Sequence, residues 1–192
     1  MPKKSLFVVL FFTLVWLIPL KGFGQTVAFS ADSIPLVGED VVFSFHFENN
    51  ISKEDARLKI NTFLDRGMDP YSGTFLKNTD DSVVCRVVDY LEIESGMFHV
   101  FGMYMTYHIK FVFHDASCDL AISQITFMEK SYFERQEETT HQFYFREYTA
   151  KEIMVDKLYR LLLKRDASEK VTDAAINRFN MIVKNMGSHF GT

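Results

Sequence analysis

The chain has 192 residues, 47% of them hydrophobic and 24% charged, with a formal net charge of −4. That length suffices for one domain with a real core and is short for two. An acidic surface repels phosphate backbones unless a local basic patch overrides it, and none is visible: Lys151, Lys157, Arg160, Lys164 and Arg165 share their segment with Glu152, Asp156 and Asp166. A nucleic-acid partner is not expected.

Lys3 and Lys4 precede "SLFVVLFFTLVWLIPL", Ser5 to Leu20, an apolar run broken by Pro19 and followed by Gly22 and Gly24 where a signal peptidase needs small residues. The run falls short of the about 20 residues of a spanning helix. We read residues 1–24 as a signal peptide, with an uncleaved N-terminal anchor as the alternative. No cysteine lies near the cleavage point to carry a lipid. Residues 25–192 are then a single exported domain, periplasmic or secreted, with no stable membrane span. Loss of Lys3, Lys4 and Lys21, with no acid among the first 24 residues, takes the charge from −4 to −7.

Thr26 to Asp40 reads as a strand followed by a turn at Pro35 and Gly38. "VVFSFHFE" alternates, with Val41, Phe43, Phe45 and Phe47 on one face and Ser44, His46 and Glu48 on the other. The period then changes. Ser52 is a good N-cap, Asp55 completes a variant capping box, and Ala56, Ile60, Phe63 and Leu64 fall at helical spacing before Gly67. "DPYSG" turns the chain, after which "TFLKN" and "DSVVCRVVDYLEIE" read as strands. "MFHVFGMYMTYHIKFVF" is a strand that Gly102 interrupts or bulges, with Met105, Tyr107, Ile109, Phe111 and Phe113 on one face; "HDAS" turns it into "CDLAISQITFMEK". Ser131 to Thr140 reads as a polar loop and "HQFYFRE" as a last short strand. Thr149 and Glu152 open a predicted helix through Ile153, Asp156, Leu158, Leu161 and Leu162 to about Asp166. A second helix carries Val171, Ala175, Phe179, Ile182 and Met186 as one stripe ending at Gly187. The class is α+β, an antiparallel sheet with helices packed on one face.

On "VVFSFHFENNISKEDARLKINTFL", "DSVVCRVVDYLEI" and "YHIKFVFHDASCDLAISQITF", the region from about Val41 to Lys130 resembles small secreted proteins of Bacteroidetes, a domain-of-unknown-function family with a TATA-binding-protein-like (TBP-like) fold. Phe63 stands where that family often has tryptophan, and His114, Asp115 and Ala116 replace a "KDG" turn. The resemblance implies an extracytoplasmic β-α-β-β-β core, about 41–130, with a C-terminal helical region, about 149–187. It implies no reaction, cofactor or catalytic residue. The DNA-binding protein that gives the fold its label uses a basic sheet and aromatic wedges; this chain is acidic, and a shared fold does not carry a shared site.

In an oxidising compartment Cys85 and Cys118 are an obvious pair. A simple meander puts an intervening strand between them, about 9 to 10 Å at about 4.8 Å per step, beyond disulfide reach. With turns near residues 98 and 115, Cys85 faces Val112, Val112 faces Asp119, and Cys118 lies on the opposite side of the sheet. A bulge or another strand order would undo this, so the pairing stays open. Cys118 with His114 as base lacks an orienting third residue and an oxyanion loop, and Asp115 and Asp119 would raise its thiol pKa.

His46, His99, His108, His114, His141 and His189 fit no metal-ligand spacing, and Glu92 and Glu94 are an ordinary pair on one side of a strand. Of 20 phenylalanines, Phe7, Phe11, Phe12 and Phe23 leave with the leader. The rest fill a core and leave large side chains on both sheet faces. The face away from the helices must expose some of Tyr104, Tyr144 and Tyr148, pack the N-terminal segment, or meet a partner. The expectation is a non-enzymatic binding or cell-envelope-associated domain that needs no cofactor. Its protein or envelope ligand would meet Tyr104, His108, Tyr144 and Tyr148 on the uncovered sheet face, or the Ser131–Thr140 loop. The alternative is a hydrolase-like or ligand-processing enzyme with a site of non-contiguous Asp, Glu and His residues.

Overall fold

The computed structural model describes residues 28–48, 51–67, 73–95, 100–138, 146–160 and 166–190. The leader, Tyr144 and most of "HQFYFRE" lie outside these residues. A two-residue hairpin opens the described chain, β1 (Leu36–Val37) against β2 (Asp40–Val41), its turn placing Gly38 at φ 65° where a side chain is strained. The alternating phenylalanines then form β3 (Phe43–Glu48), which leads into α1 (Lys53–Gly67). The Ser52 hydroxyl accepts the Asp55 N–H at 3.1 Å and donates to its carboxylate at 2.8 Å, so the expected cap is formed. Ala56, Ile60 and Leu64 are buried on one side of the helix.

Beyond α1 come β4 (Gly73–Asn78), β5 (Ser82–Ser95), β6 (Val100–Phe113) and β7 (Ser117–Glu129). The spatial order is β3-β7-β6-β5-β4, every neighbour antiparallel. The first and last of these strands therefore point the same way, and α1 crosses the sheet from one edge to the other. The chain continues as α2 (Lys130–Glu138), β8 (Tyr148–Thr149, paired with β7), a wide helical turn at Lys151–Val155, and α3 (Ala167–Phe190).

One sheet face holds the core. Phe43, Phe47, Val83, Cys85, Val87, Met103, Met105, Tyr107, Ile109, Phe111, Phe113, Cys118, Leu120 and Ile122 are buried there under α1 and α3. All five residues of the expected α3 stripe are buried, and the helix runs past Gly187 to Phe190, whose ring packs 5.2 Å from Phe47. The N-terminal segment lies on this same side. The Asn180 amide accepts the Phe29 N–H at 2.8 Å and donates to the Phe29 carbonyl at 2.9 Å, seating the Phe29 ring 5.1 Å from Phe43.

Two bulges steer the strands. In β7 an extra residue falls between Ser123 and Thr126, with Gln124 at φ 51°, so the buried row passes from Ile122 to Ile125 and Phe127. In β5 the register shifts between Glu92 and Glu94 opposite Gly102 and Phe101, so the two glutamates are not simple same-face neighbours. Gly102 itself lies under the Tyr90 ring: an added Cβ would overlap that ring and sit 2.9 Å from the Leu91 carbonyl oxygen.

Three local expectations are corrected. Lys130–Glu138 is helical rather than a polar loop, because Phe133 stacks on Tyr104 at 4.0 Å and Lys130 pairs with Glu134 one turn on, giving the segment an anchor its composition hides. The Thr149–Glu152 capping box does form, but the helix after it stops at Val155. Lys157 takes a left-handed conformation (φ 54°), and the buried Ser168 hydroxyl accepts the Tyr159 N–H at 3.0 Å and donates to its carbonyl at 2.9 Å. Capture of the Tyr159 backbone outweighs helical continuation, and Leu158 is left exposed.

The third correction concerns the cysteines. Cys85 pairs with Ile109, not Val112; an odd shift turns a side chain to the other face, so both thiols lie on the core side. They still do not meet. Ile109 pairs with Ile122, and Cys118 lies four residues further along β7, about 13 Å away along the strand and two strands across. Both are free.

Candidate functional site

The face away from α1 and α3 is built from the alternate residues of the same strands. Near its centre Arg86 pairs with His108, which pairs with Ser123; one step along, Val84 pairs with Lys110 and Lys110 with Ala121. Arg86 and Lys110 are exposed, whereas Val84, Val88, Thr106 and His108 are half-buried. Burial holds the His108 pKa below its ordinary value, and the positive charge of Arg86 adds to this. His108 is therefore a neutral hydrogen-bonding group at neutral pH.

One end of this face is closed. The Tyr104 ring is stacked on Phe133 of α2 and tilted 5.2 Å from Tyr90, over which the Lys130 ammonium sits at 5.2 Å. Tyr104 and His108 thus share a face, four residues apart on β6. Tyr148 is elsewhere: β8 pairs it with Phe127 on the core side, where its ring meets Tyr159 at 5.0 Å and carries the Arg146 guanidinium at 4.4 Å.

At the far end of the open face, β3 and the β6–β7 turn bring together a group that sequence spacing did not reveal. His46 pairs across the ladder with Asp119, and its Nδ1 lies 2.6 Å from Asp119 Oδ1; His114 Nε2 lies 2.9 Å from Oδ2. Hydrogen bonds from His46, then His114, hold the Asp119 carboxyl below the usual carboxylate range. This is a surface latch tying the edge strand to the hairpin. A carboxyl with a depressed folded pKa stabilises above its unfolded value of 3.8 and loses that contribution as pH falls through the lower folded value. Asp119 is about half exposed, so Asp119→Asn is expected to cost well under about 1 kcal/mol at pH 7. In urea titrations the difference between the two proteins should vanish progressively below about pH 4.

Cys118 takes no part in this latch. Its side chain points the other way, into the core beside Phe47 and Phe113, and burial pushes its thiol up to about 12, with Asp119 adding to the rise. Burial and the charge of Asp65 do the same for Cys85, also to about 12. Neither thiol is a nucleophile at neutral pH. A thiol reagent such as Ellman's should titrate neither cysteine in the native protein and both after denaturation; fast native labelling of one would contradict the register. No group of three His, Cys, Asp or Glu side chains suited to a metal ion occurs among the described residues.

A groove of about 740 Å³ lies at the other end of β5, between Asp89–Glu94 and the α3 residues Lys170, Asp173, Ala174, Asn177, Arg178 and Met181. Asp89 occupies a core-face position in the row Val83, Cys85, Val87, Leu91 and is held there by three donors. Arg178 grips it with Nε at 2.8 Å and Nη2 at 3.0 Å, and the buried Tyr107 hydroxyl donates at 2.7 Å. Burial, then the charge and hydrogen bond of Asp89, raise the Tyr107 pKa well above its ordinary value, so the hydroxyl stays a donor. His46, His108 and Glu92, on which a hydrolytic reading would draw, lie at three separate places on the sheet: opposite Asp119, opposite Ser123 and opposite Gly102.

No family model and no curated protein matches the chain. Solved structures do. A DUF4468 family protein from Bacteroides ovatus superposes with a TM-score of 0.67 at 15% identity, over 83% of this chain and 91% of that one. A TBP-like protein from Parabacteroides distasonis superposes with a TM-score of 0.64 at 13% identity, over 83% and 97%. The chain has the TBP-like fold. At such identities the likeness is one of fold, and it extends past the 41–130 core to most of both chains. The contents of the open face and groove are read from this chain's own residues.

Proposed function

We propose that residues 1–24 direct export and are removed, and that residues 25–192 act as one non-catalytic binding domain in the periplasm or outside the cell. Its contact surface is the open sheet face around Tyr104 and His108. The observation that carries this reading is the placement of the covering elements. α1, α3 and the N-terminal segment lie on the core face and α2 covers only the Tyr104 end of the other, along which Arg86 and Lys110 are exposed and Val84 and His108 half-buried. A half-buried floor ringed by cations suits a protein or envelope ligand with complementary acids. No helix among the described residues is long and apolar enough to cross a membrane.

Site-specific photocrosslinking in exporting cells tests it. A crosslinking residue at His108 should give discrete adducts, and one at Leu58, exposed on α1, should give none. Equal adducts from both positions, or none from His108, would sink the reading.

A further inference from the structure

Strand pairing gathers three cations that the sequence scatters. Lys77 on β4 pairs with Val84 on β5, and Val84 with Lys110 on β6; Arg86 lies two residues beyond Val84 on the same face. All three are exposed, and Val83 and Cys85, which alternate with them, are fully buried on the core side. Lys77 and Lys110 stand two strands apart, about 10 Å, with Arg86 about 7 Å along from the line that joins them. None of the three has an ion-pair partner among the described residues. Asp81, whose charge Lys77 feels, is paired with Lys53, and Asp119, further along this face, is held between His46 and His114. Glu92 lies about 20 Å along β5 from Arg86, toward the end that α2 covers. A chain of net charge −4 thus carries a patch of uncompensated positive charge in the middle of one face.

The floor between these cations is short and partly apolar. Val84, Val88, Val112 and Ala121 are half-buried there, beside the neutral His108. A small anion would meet the charges and leave this floor in water. An extended segment would leave its own backbone groups unpaired, because the strand N–H and C=O groups beneath it are spent on their neighbours. A helix satisfies its own backbone, and one helix already lies on this face: α2, through Phe133 on Tyr104. Residues seven apart on one side of a helix are about 10.5 Å apart, which matches the Lys77–Lys110 separation. A second copy is a poor occupant, because it would set the same cations against one another.

With the open face as the contact surface, a reading on which this one rests, we propose that its cationic patch binds an acidic amphipathic helix of a partner protein. The apolar stripe of that helix lies on Val84 and Val88, and its carboxylates meet Lys77, Arg86 and Lys110.

The test uses the protein purified from exporting cells and a fluorescent peptide of about 18 residues, with alanine and leucine at helical spacing and glutamate on both flanks of that stripe. Expected results are saturable binding that salt weakens, with shifted amide resonances at residues 84–88 and 108–110 rather than on α3. Lys77→Glu, Arg86→Glu and Lys110→Glu together should weaken binding about tenfold or more, and Lys184→Glu, at an exposed position on α3, should leave it unchanged. The triple variant should in turn bind the same peptide with lysine for glutamate, a gain that loss of folding cannot imitate. Absence of binding, equal binding of the glutamate and lysine peptides to the parent protein, or tighter binding of inorganic phosphate, anionic lipid vesicles or a DNA duplex than of the peptide would overturn the proposal. In cells the His108 crosslinks should disappear in the triple variant. Their persistence would overturn the acidic helix and leave the face a contact surface, whereas a parent protein without crosslinks would lose both readings.

Discussion

Asp89→Ala is expected to lower the unfolding free energy by about 2 to 4 kcal/mol. The substitution strands two donors at once: the Arg178 guanidinium, which loses both its bonds to the carboxylate, and the buried Tyr107 hydroxyl. A fully dry pair would cost about 3 to 5 kcal/mol when broken; Arg178 is 36% exposed in its side chain, and solvent softens the loss. Tyr107→Phe removes one bond and should cost about 1 kcal/mol. The double variant Asp89→Leu with Arg178→Met replaces both charges and should lose less than the two single changes added together, since neither partner is left alone. Urea unfolding of the four proteins measures all of this. Equal and small losses throughout would mean that the clasp contributes little.

Phe179→Ala should cost about 3 to 5 kcal/mol. The ring is fully buried at the centre of α3, 5.2 Å from Phe43 on β3 and 5.5 Å from Tyr107 on β6, so it pins the helix to two non-adjacent strands. Truncation leaves a cavity walled by sheet on one side, where the backbone has little room to collapse. Phe179→Leu keeps most of the volume and should lose less than half as much. A thermal or urea midpoint for Phe179→Ala close to that of the parent protein would show that α3 is not seated as described.

The core was legible because its signals are local and repetitive. Alternation across β3 and β6 and the 3.6-residue stripe of α3 named buried residues correctly, and Ser52 with Asp55 marked the start of α1. The Val112–Asp119 pairing also came out as expected, since the "HDAS" turn sets it over a few residues. Cys85 did not, because its register depends on a connection between long strands whose length alternation leaves undetermined, and an odd error reverses the face.

α2 was hidden by composition. Its helicity rests on Phe133 finding Tyr104, a tertiary contact, though the Lys130–Glu134 spacing was available as a hint. The helix expected after Thr149 failed for the opposite reason: its cap is real, but Ser168 captures Tyr159 from nine residues away and ends the run.

The candidate sites were the least legible part. Neither Asp119 between two histidines nor Asp89 under Arg178 is a motif; each is made by pairing across strands or between strand and helix. Asp89 did leave a trace, an acid in an otherwise apolar alternating row, which marks a position needing a partner. The shift of the buried row in β7 from even to odd positions after Ile122 likewise records the bulge at Gln124.

The central claim is that one sheet face holds the fold and the other is kept for a partner. Its most direct test is a triple variant, Arg86→Ala, His108→Ala and Lys110→Ala, assayed for unfolding free energy and, with the crosslinking residue moved to Thr106, for adduct yield in cells. The account predicts a stability change within about 0.5 kcal/mol per site together with loss of the adducts that the same crosslinker gives without the three substitutions. A fall of several kcal/mol, or adducts that persist unchanged, would contradict it.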